Sequence, residues 1–201
     1  MRKSHKEQLY RAAFRLFILN DFNGVSISDI EKASGMTRGA IFYYADSKMD
    51  LFRKVLDTFV VETQNIENKM ALKEYGSLGT FIDAYVDGVE YTIMQLQGIL
   101  GDIPDGTSNR AYIYLVMQIS RHFPDLREKY LVYRNNELSK WISVLHKAIE
   151  DKEIRAGIDI MSMARTFTNV FYGQSFLDSL TNGLDVVCLR QQMHNLYKVL
   201  K

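Results

Sequence analysis

The sequence predicts an all-α protein. The 201 residues contain only two prolines, and apolar side chains recur at helical spacing while strand-like alternation is scarce. Serine, threonine or aspartate also stands at the N-cap position of several expected helices. The predicted architecture is an N-terminal domain of three short helices in a helix-turn-helix arrangement, followed by six further helices.

The first two helices are predicted from their starts. Ser4 and Glu7 have the spacing of a capping box, so the first helix should begin near residue 5. Residues 20–24 form a polar turn that should end it. Ser26 and Asp29 then repeat the capping-box spacing at the start of the second helix.

A tight turn and a third short helix follow. Gly35 can adopt the left-handed backbone conformation that this turn requires. Thr37 is the expected N-cap of a helix that runs from about Arg38 to Tyr44. Ser47 should cap the fourth helix, which is predicted to continue to about Met70.

The remaining helices are separated by recognisable breakers. Residues 101–106 contain two glycines and one proline, and Pro124 suits the first turn of a helix. Asp159 and Asp185 are expected N-caps. One helix is predicted from about Ser77 to this first breaker, and the others around 108–120, from 124 to about 150, from 159 to about 180 and from 185 to the C-terminus.

The N-terminal quarter is basic although the whole chain is nearly neutral. Residues 1–54 contain ten Lys and Arg against six Asp and Glu, which gives +4. The whole chain carries +1, so residues 55–201 carry −3. A modestly basic head on a mildly acidic body fits local attraction to phosphate without general adhesion to polyanions.

Several protein classes have no support in the sequence. No apolar run reaches the ~18 residues of a membrane-spanning helix, and the N-terminus lacks the apolar segment of a signal peptide, so a cytoplasmic location is expected. The single Cys188 fits a reducing compartment. No nucleophile motif, phosphate-binding loop or dinucleotide fingerprint is present, so neither an enzyme nor a cofactor is predicted.

Metal binding is also not predicted. Asp83, Asp87 and Glu90 share one face of a predicted helix and could hold a cation together with His122 or His146. The alternative is an ordinary solvated acidic face, which is the more common arrangement. The four histidines form no ligand pair at helical spacing, and no cysteine neighbours them.

Residues 8–52 together resemble the DNA-binding domain of the TetR family of bacterial transcriptional regulators. The matching residues run in order through the first four predicted helices: Ala12, Ala13, Leu16, Phe17, Asp29, Ile30, Ala33, Gly35, Thr37, Arg38, Gly39, Ser47, Lys48, Leu51 and Phe52. The resemblance implies a DNA-binding domain over residues 1–50 and an effector-binding and dimerisation domain over residues 51–201.

The resemblance also implies which residues of the head contact double-stranded DNA. They are Ser26, Ser28, Thr37, Arg38, Gly39, Ala40, Phe42, Tyr43, Tyr44 and Lys48. Arg38 could bind a guanine through two hydrogen bonds or neutralise a phosphate. Lys48 is expected to clamp phosphate, the alternative being a solvated lysine. Ser26 could cap its helix, contact phosphate, or do both.

Two positions depart from the family pattern. The family usually has tyrosine in place of Phe42, and the hydroxyl of that tyrosine typically contacts a phosphate. It usually has phenylalanine in place of Ala45, where the ring fills the core of the head. Phe42 or Tyr44 could therefore pack into that space instead of contacting DNA.

In the family the middle helices of the body enclose an effector pocket. The aromatic and methionine-rich body would suit a lipophilic or flat aromatic effector, with plain core packing as the alternative for each residue. The candidate lining residues are Tyr85, Tyr91, Met94, Tyr112, Met117, Tyr133, Trp141, Phe171 and Tyr172.

The last two helices are apolar on more than one side, so they need partners in two directions. Pairing them with a second copy would give the four-helix dimer interface of the family. The candidate interface residues are Phe167, Val170, Phe171, Leu177, Leu189, Met193, Leu196 and Leu200.

The expected function is a homodimeric repressor that a small organic effector releases from a near-palindromic operator. A helical DNA-binding architectural or adaptor protein without an effector is the alternative. A cavity in the body would favour the first of these functions, and a solidly filled body would favour the second.

Overall fold

The computed structural model describes residues 4–61, 75–101, 103–104 and 106–201. These ranges contain nine α-helices and no strand, so the predicted all-α class is confirmed. In chain order, α1 to α9 span His5–Leu19, Ile27–Ser34, Arg38–Tyr44, Lys48–Leu56, Leu78–Leu100, Thr107–His122, Pro124–Glu150, Ile160–Ser179 and Val186–Leu200. We call α1 to α4 the head and α5 to α9 the body.

The predicted helix starts are confirmed by side-chain caps. Ser4, Thr37 and Ser47 each accept a hydrogen bond from a backbone N–H in the first turn of α1, α3 and α4. Asp159 and Asp185 do the same for α8 and α9. These bonds satisfy donors that have no partner within the helix, which explains why each helix begins where it does.

The fourth helix changes character after Leu56. Residues Asp57–Val61 form a π-helical turn, so α4 does not continue as a regular α-helix. A π-turn inserts an extra residue into the helical ladder and often marks a functional position. The predicted end near Met70 lies outside the described residues.

Two clusters of buried side chains hold the molecule together. The first cluster joins the head to the part of the body around α6. Phe17 and Phe52 of the head lie in the same cluster as Leu115 and Phe123 of the body. The second cluster lies entirely within the body and surrounds Trp141. Because the head and α6 share the first cluster, a displacement of α6 is transmitted to the head through packed side chains.

Two loops of the body meet at a pair of glycines. Gly106 precedes α6 with φ +76°, and Gly183 lies between α8 and α9 with φ +89°. A Cβ atom on Gly106 would lie 2.4 Å from the carbonyl carbon of Asn182. Only glycine allows the two backbones to approach this closely.

Within the described ranges, no helix combines the length and the apolar character needed to cross a membrane.

Candidate functional sites in the head and the body

The helix pair α2–α3 has the geometry of a helix-turn-helix unit. Gly35 ends α2 in the left-handed conformation with φ +67°, as predicted, and turns the chain towards α3. The side chain of Gln8 in α1 donates a hydrogen bond of 2.7 Å to the carbonyl of Ser34. The turn is therefore fixed both by its own backbone and by the preceding helix.

One face of α3 is open to solvent. Arg38, Gly39 and Tyr43 are exposed, the Tyr43 side chain to 82% and that of Phe42 to 41%. The Nε atom of Arg38 lies 3.8 Å from the carboxylate of Glu31, so the guanidinium is only loosely paired. This face therefore presents a cation and aromatic rings on a short helix that could enter a DNA groove.

Tyr44 and Ala45 belong to the core side of the same helix. Ala45 is buried, and Tyr44 is half-buried and packs against the core of the head. Phe42 is not part of that core. Of the two aromatic residues, Tyr44 thus supplies packing beside the small Ala45, and a contact between its hydroxyl and DNA stays a prediction.

The two candidate serines of α2 have different surroundings. Ser26 forms a complete capping box with Asp29: its hydroxyl accepts from the Asp29 N–H, and the Asp29 carboxylate accepts from the Ser26 N–H at 2.9 Å. Ser28 is exposed. The capping alternative for Ser26 is confirmed, and phosphate contact by either serine stays a prediction.

Lys48 is held inside the head. Its ammonium donates hydrogen bonds of 2.8 Å to the carbonyls of both Phe22 and Val25, and it lies 4.3 Å from the centroid of the Phe22 ring. Burial lowers the pKa of Lys48. These contacts close the loop between α1 and α2 onto α4. Lys48 is therefore not the solvated lysine considered above, and its phosphate contact stays a prediction.

Replacing Lys48 with methionine should lower the free energy of unfolding by about 1–3 kcal/mol, because two hydrogen bonds from a charged donor are lost. Denaturant unfolding measures this change. Lys32→Met on exposed α2 is the matched control and should leave stability within about 0.5 kcal/mol of the native value. Native stability of Lys48→Met combined with weak DNA binding would instead support a phosphate clamp.

The body contains an internal cavity of about 90 Å³ between α5, α6, α7 and α8. Its apolar wall consists of Val89, Ile93, Leu96, Ile113, Val116 and Leu184. Aromatic rings complete the enclosure, and among them are five tyrosines. An apolar enclosure with a few polar groups is the usual form of a small-molecule site.

A carboxylate lies at the polar end of the cavity. The two oxygens of Glu137 each accept one hydrogen bond, from the hydroxyl of Tyr85 at 2.5 Å and from that of Tyr172 at 2.6 Å. Burial, followed by the negative charge of Glu137, raises the pKa of both tyrosines well above the ordinary value. Both hydroxyls therefore remain protonated donors at neutral pH.

Arg134 lies one helical turn before Glu137 on α7. Its guanidinium is 3.9 Å from the centroid of the Tyr172 ring. Its buried Nε has no hydrogen-bond acceptor among the described residues. Arg134 thus brings a positive charge to the cavity without a hydrogen-bonding partner for that charge.

The cavity adjoins α4, the last helix of the head, and the π-turn that follows it. Tyr130 and Tyr133 line the cavity and, on their other side, a void of about 20 Å³ shared with Leu56 and Val60. Nearby, the ammonium of Lys129 lies 3.0 Å from the carboxylate of Asp57 in the π-turn. A second ion pair, between Arg53 and Asp125, also joins α4 to α7 at 3.0 Å. A displacement of α7 at the cavity would therefore reach α4 directly.

The family model of the DNA-binding domain of bacterial regulatory proteins of the TetR family matches residues 9–55, which cover most of α1 to α4. The HTH-type transcriptional regulator YfiR of Bacillus subtilis (strain 168) is 25% identical over 173 residues, covering 84% of this chain and 78% of that protein. The N-terminal domain of the chain is therefore similar to the DNA-binding domain of the TetR family.

Solved structures of TetR regulators share the fold over nearly the full chain. A TetR-family regulator from Cytophaga hutchinsonii aligns with a TM-score of 0.70 at 14% identity, over 100% of this chain and 98% of its own. Salmonella enterica GusR aligns with a TM-score of 0.61 at 22% identity, over 96% and 95%. At these identities the likeness concerns the fold.

TetR regulators are dimeric DNA-binding transcription factors and not enzymes. The exposed face of α3 therefore belongs to a DNA-binding domain. The sequence-based prediction of the family and of its nine-helix architecture is confirmed in the described part of the chain.

The structure brings five of the nine predicted effector residues together: Tyr85, Tyr112, Tyr133, Phe171 and Tyr172 line the cavity. The other four do not line this cavity. Tyr91, Met94 and Met117 are exposed on the surface because they lie on the outer faces of α5 and α6. Trp141 is fully buried in the core, stacked on Phe167, and does not line the cavity.

Sequence reasoning missed three of the four polar residues that α7 contributes to the cavity, Tyr130, Arg134 and Glu137, and predicted only Tyr133. Tyr130, Tyr133, Arg134 and Glu137 line it from one face of α7, at the spacing i, i+3, i+4, i+7. That spacing was the available signal, since two charged residues on an aromatic face are unusual. Asn109 also lines the cavity and gave no sequence signal.

Most of the predicted dimer residues lie inside the chain. Phe167, Leu189, Met193 and Leu200 are fully buried in the body core of the single chain rather than on its surface. Phe171 lines the cavity. Val170 and Leu196 are half-buried against the same core, which leaves Leu177 as the exposed member of the set.

A different group of apolar side chains is exposed on α8, on α9 and just after α8. It comprises Met161, Phe176, Leu177, Leu180, Val187 and Val199, and we call it the outer face. Such a concentration of large apolar side chains on two neighbouring helices indicates an interaction surface.

The acidic face of α5 is engaged by α9. Arg190 donates to the carboxylates of Asp83 at 3.0 Å and Asp87 at 2.6 Å, and a ring nitrogen of His194 lies 2.8 Å from Asp83. These carboxylates hold two helices together, which accounts for their shared helix face without a metal ion.

Proposed function

We propose that this TetR-family protein is a homodimeric, ligand-responsive repressor that acts in the cytoplasm. The observation that carries the proposal is the position of the cavity: two of its lining residues, Tyr130 and Tyr133, also pack on the helix that leads to the DNA-binding domain. The cavity favours effector binding over the architectural role considered above.

In this proposal residues 1–50 bind double-stranded DNA and residues 51–201 bind the effector and a second copy. Helix α3 enters the major groove with Arg38, Gly39, Phe42 and Tyr43 on its exposed face. A two-fold dimer presents two such helices about one DNA turn apart. The operator is accordingly near-palindromic.

The outer face is the proposed dimer interface. Its apolar side chains lie on or just after α8 and on α9, the two helices that the sequence predicted to form the interface. They lie on the exposed sides of these helices, whereas most of the predicted interface residues lie on the buried sides. Covering these side chains with the same surface of a second copy removes apolar area from water and fixes the distance between the two heads.

Effector binding acts as a shift between two populations. An effector that displaces Tyr130 and Tyr133 moves α7 against Leu56 and Val60 of α4 and the π-turn, and so changes the spacing of the heads. The effector can shift this equilibrium only by its difference in affinity between the two states.

The test is an operator footprint on the DNA that flanks the gene of this protein, followed by gel-shift titration with a broad library of small organic compounds. A protected near-palindrome and at least one compound that both raises the melting temperature and releases the DNA are expected. Binding that no compound alters would contradict the effector role and leave the architectural role.

Arg38→Ala should weaken operator binding about 10- to 100-fold, because one base or phosphate contact is lost. Gel-shift titration measures this change. Arg38→Lys separates the two alternatives: a phosphate contact is largely retained by lysine, whereas a bidentate guanine contact is not. The exposed Lys140→Ala in the body is the charge control. Native affinity of Arg38→Ala would exclude the assigned role.

A further inference from the structure

Among the described residues, the buried hydrogen-bonding side-chain atoms that line the cavity have partners with one exception. Both oxygens of Glu137 accept tyrosine hydroxyls. The side-chain amide of Asn109 donates 2.9 Å to the carbonyl of Ser175, and the Ser175 hydroxyl lies 3.2 Å from the amide oxygen of Asn109. These groups have little need of a ligand to complete them.

Arg134 is the exception. Its buried Nε has no acceptor among the described residues, although the guanidinium stacks 3.9 Å from the centroid of the Tyr172 ring. A guanidinium is a donor only, so what this end of the cavity lacks is an acceptor oxygen. Leaving a charged donor unpaired next to an apolar wall is costly, and a ligand oxygen would remove that cost.

The net charge of the cavity limits the charge that a ligand can carry. Arg134 and Glu137 are the two ionisable charges among the lining residues, and they balance. Burial raises the pKa of Tyr85, Tyr112, Tyr130 and Tyr172, so these hydroxyls stay neutral at neutral pH. A charged ligand would add a buried charge that no lining residue compensates, which is unfavourable in an apolar enclosure.

The apolar lining residues indicate that the rest of the ligand is a hydrocarbon group. Val89, Ile93, Ile113 and Val116 are apolar residues of the cavity lining. A hydrocarbon portion, aromatic or aliphatic, would bury its surface against these side chains.

We propose that the effector is a small uncharged carbonyl compound, such as a ketone or an ester, whose oxygen accepts a hydrogen bond from the guanidinium of Arg134. This inference rests on the proposed effector role of the cavity and specifies the chemistry of that site. Arg134 provides specificity for the acceptor, while Glu137 holds Tyr85 and Tyr172 in position and balances the charge.

The experiment uses the full-length protein and four probes of similar size that differ in one group: acetophenone, ethylbenzene, benzoate and benzylamine. Isothermal titration calorimetry should rank acetophenone first, about tenfold or more tighter than ethylbenzene, because one hydrogen bond to a charged donor is gained. Benzoate and benzylamine should bind more weakly than acetophenone. This comparison uses the native chain and does not depend on a variant that folds.

Arg134→Met should lower the affinity for acetophenone about tenfold or more and leave that for ethylbenzene unchanged. Arg127→Met, an exposed position on the same helix, is the matched control and should leave both affinities unchanged.

The outcomes separate this inference from the proposed function. Tightest binding of benzoate or of benzylamine would overturn the neutral-carbonyl inference and leave ligand response intact. Binding of none of the four probes would also overturn the inference. The proposed function itself fails only when no compound of the broad library releases the DNA.

Discussion

Gly106→Ala is expected to lower the free energy of unfolding by roughly 2–4 kcal/mol, one of the two largest effects that we predict. The residue has φ +76°, which costs a side-chain-bearing residue about 1–2 kcal/mol. The new Cβ would also lie 2.4 Å from the carbonyl carbon of Asn182 and 2.7 Å from the nitrogen of Gly183. These are backbone atoms that cannot rotate away, so both loops would have to separate.

Thermal unfolding measures the effect, which should lower the melting temperature by roughly 4–16 °C for a chain of this size. Gly98→Ala is the matched control, since Gly98 is exposed in α5 and no heavy atom lies within 4 Å of its added Cβ. That change should raise stability by up to about 1 kcal/mol through helix propensity. A Gly106→Ala protein that melts like the native chain would disprove the tight loop contact.

The second large effect is expected from Leu177→Glu on the outer face. The side chain is 63% exposed in the single chain, so the substitution should not disturb the fold. In a dimer it would place a carboxylate in an apolar interface opposite its own copy. The protein should become monomeric and lose operator affinity by about 100-fold or more, because two linked heads bind far more tightly than one.

Light scattering coupled to size-exclusion chromatography measures the mass, and gel-shift titration measures the affinity. Val132→Glu is the control: Val132 is similarly exposed, but it lies on α7 and outside the outer face. It should remain dimeric and bind DNA normally. A dimeric Leu177→Glu protein would move the interface to another surface.

The helix boundaries were predictable because the signals that set them are local. Thr37 caps α3 through a bond to Ala40, only three residues away, and Gly35 turns the chain through its own backbone angle. The predicted bounds of α3 therefore agree with the structure. The π-turn after Leu56 had no such local mark in the sequence.

The role of Lys48 was not predictable in the same way. A lysine at the start of a helix indicates phosphate binding when only its neighbours in the chain are considered. Its acceptors, the carbonyls of Phe22 and Val25, lie 26 and 23 residues earlier and come within reach only after the loop folds back. Such long-range contacts override the local expectation.

The apolar helices α8 and α9 show a second limit. The sequence establishes that both helices need partners on two sides, but not which side faces the core. Phe167 and Leu189 face inward, whereas Leu177 and Val187 face outward. All four are apolar, so hydrophobicity alone could not separate the core from the interface.

Trp141 has a practical consequence. It is the single tryptophan of the chain, it is fully buried, and its ring lies 4.5 Å from that of Phe167 and 5.1 Å from that of Tyr85. Tyr85 in turn lines the cavity and binds Glu137. All tryptophan fluorescence of the protein therefore originates one ring away from the cavity and none originates in the head. Fluorescence of this one buried residue can therefore report whether the cavity is occupied.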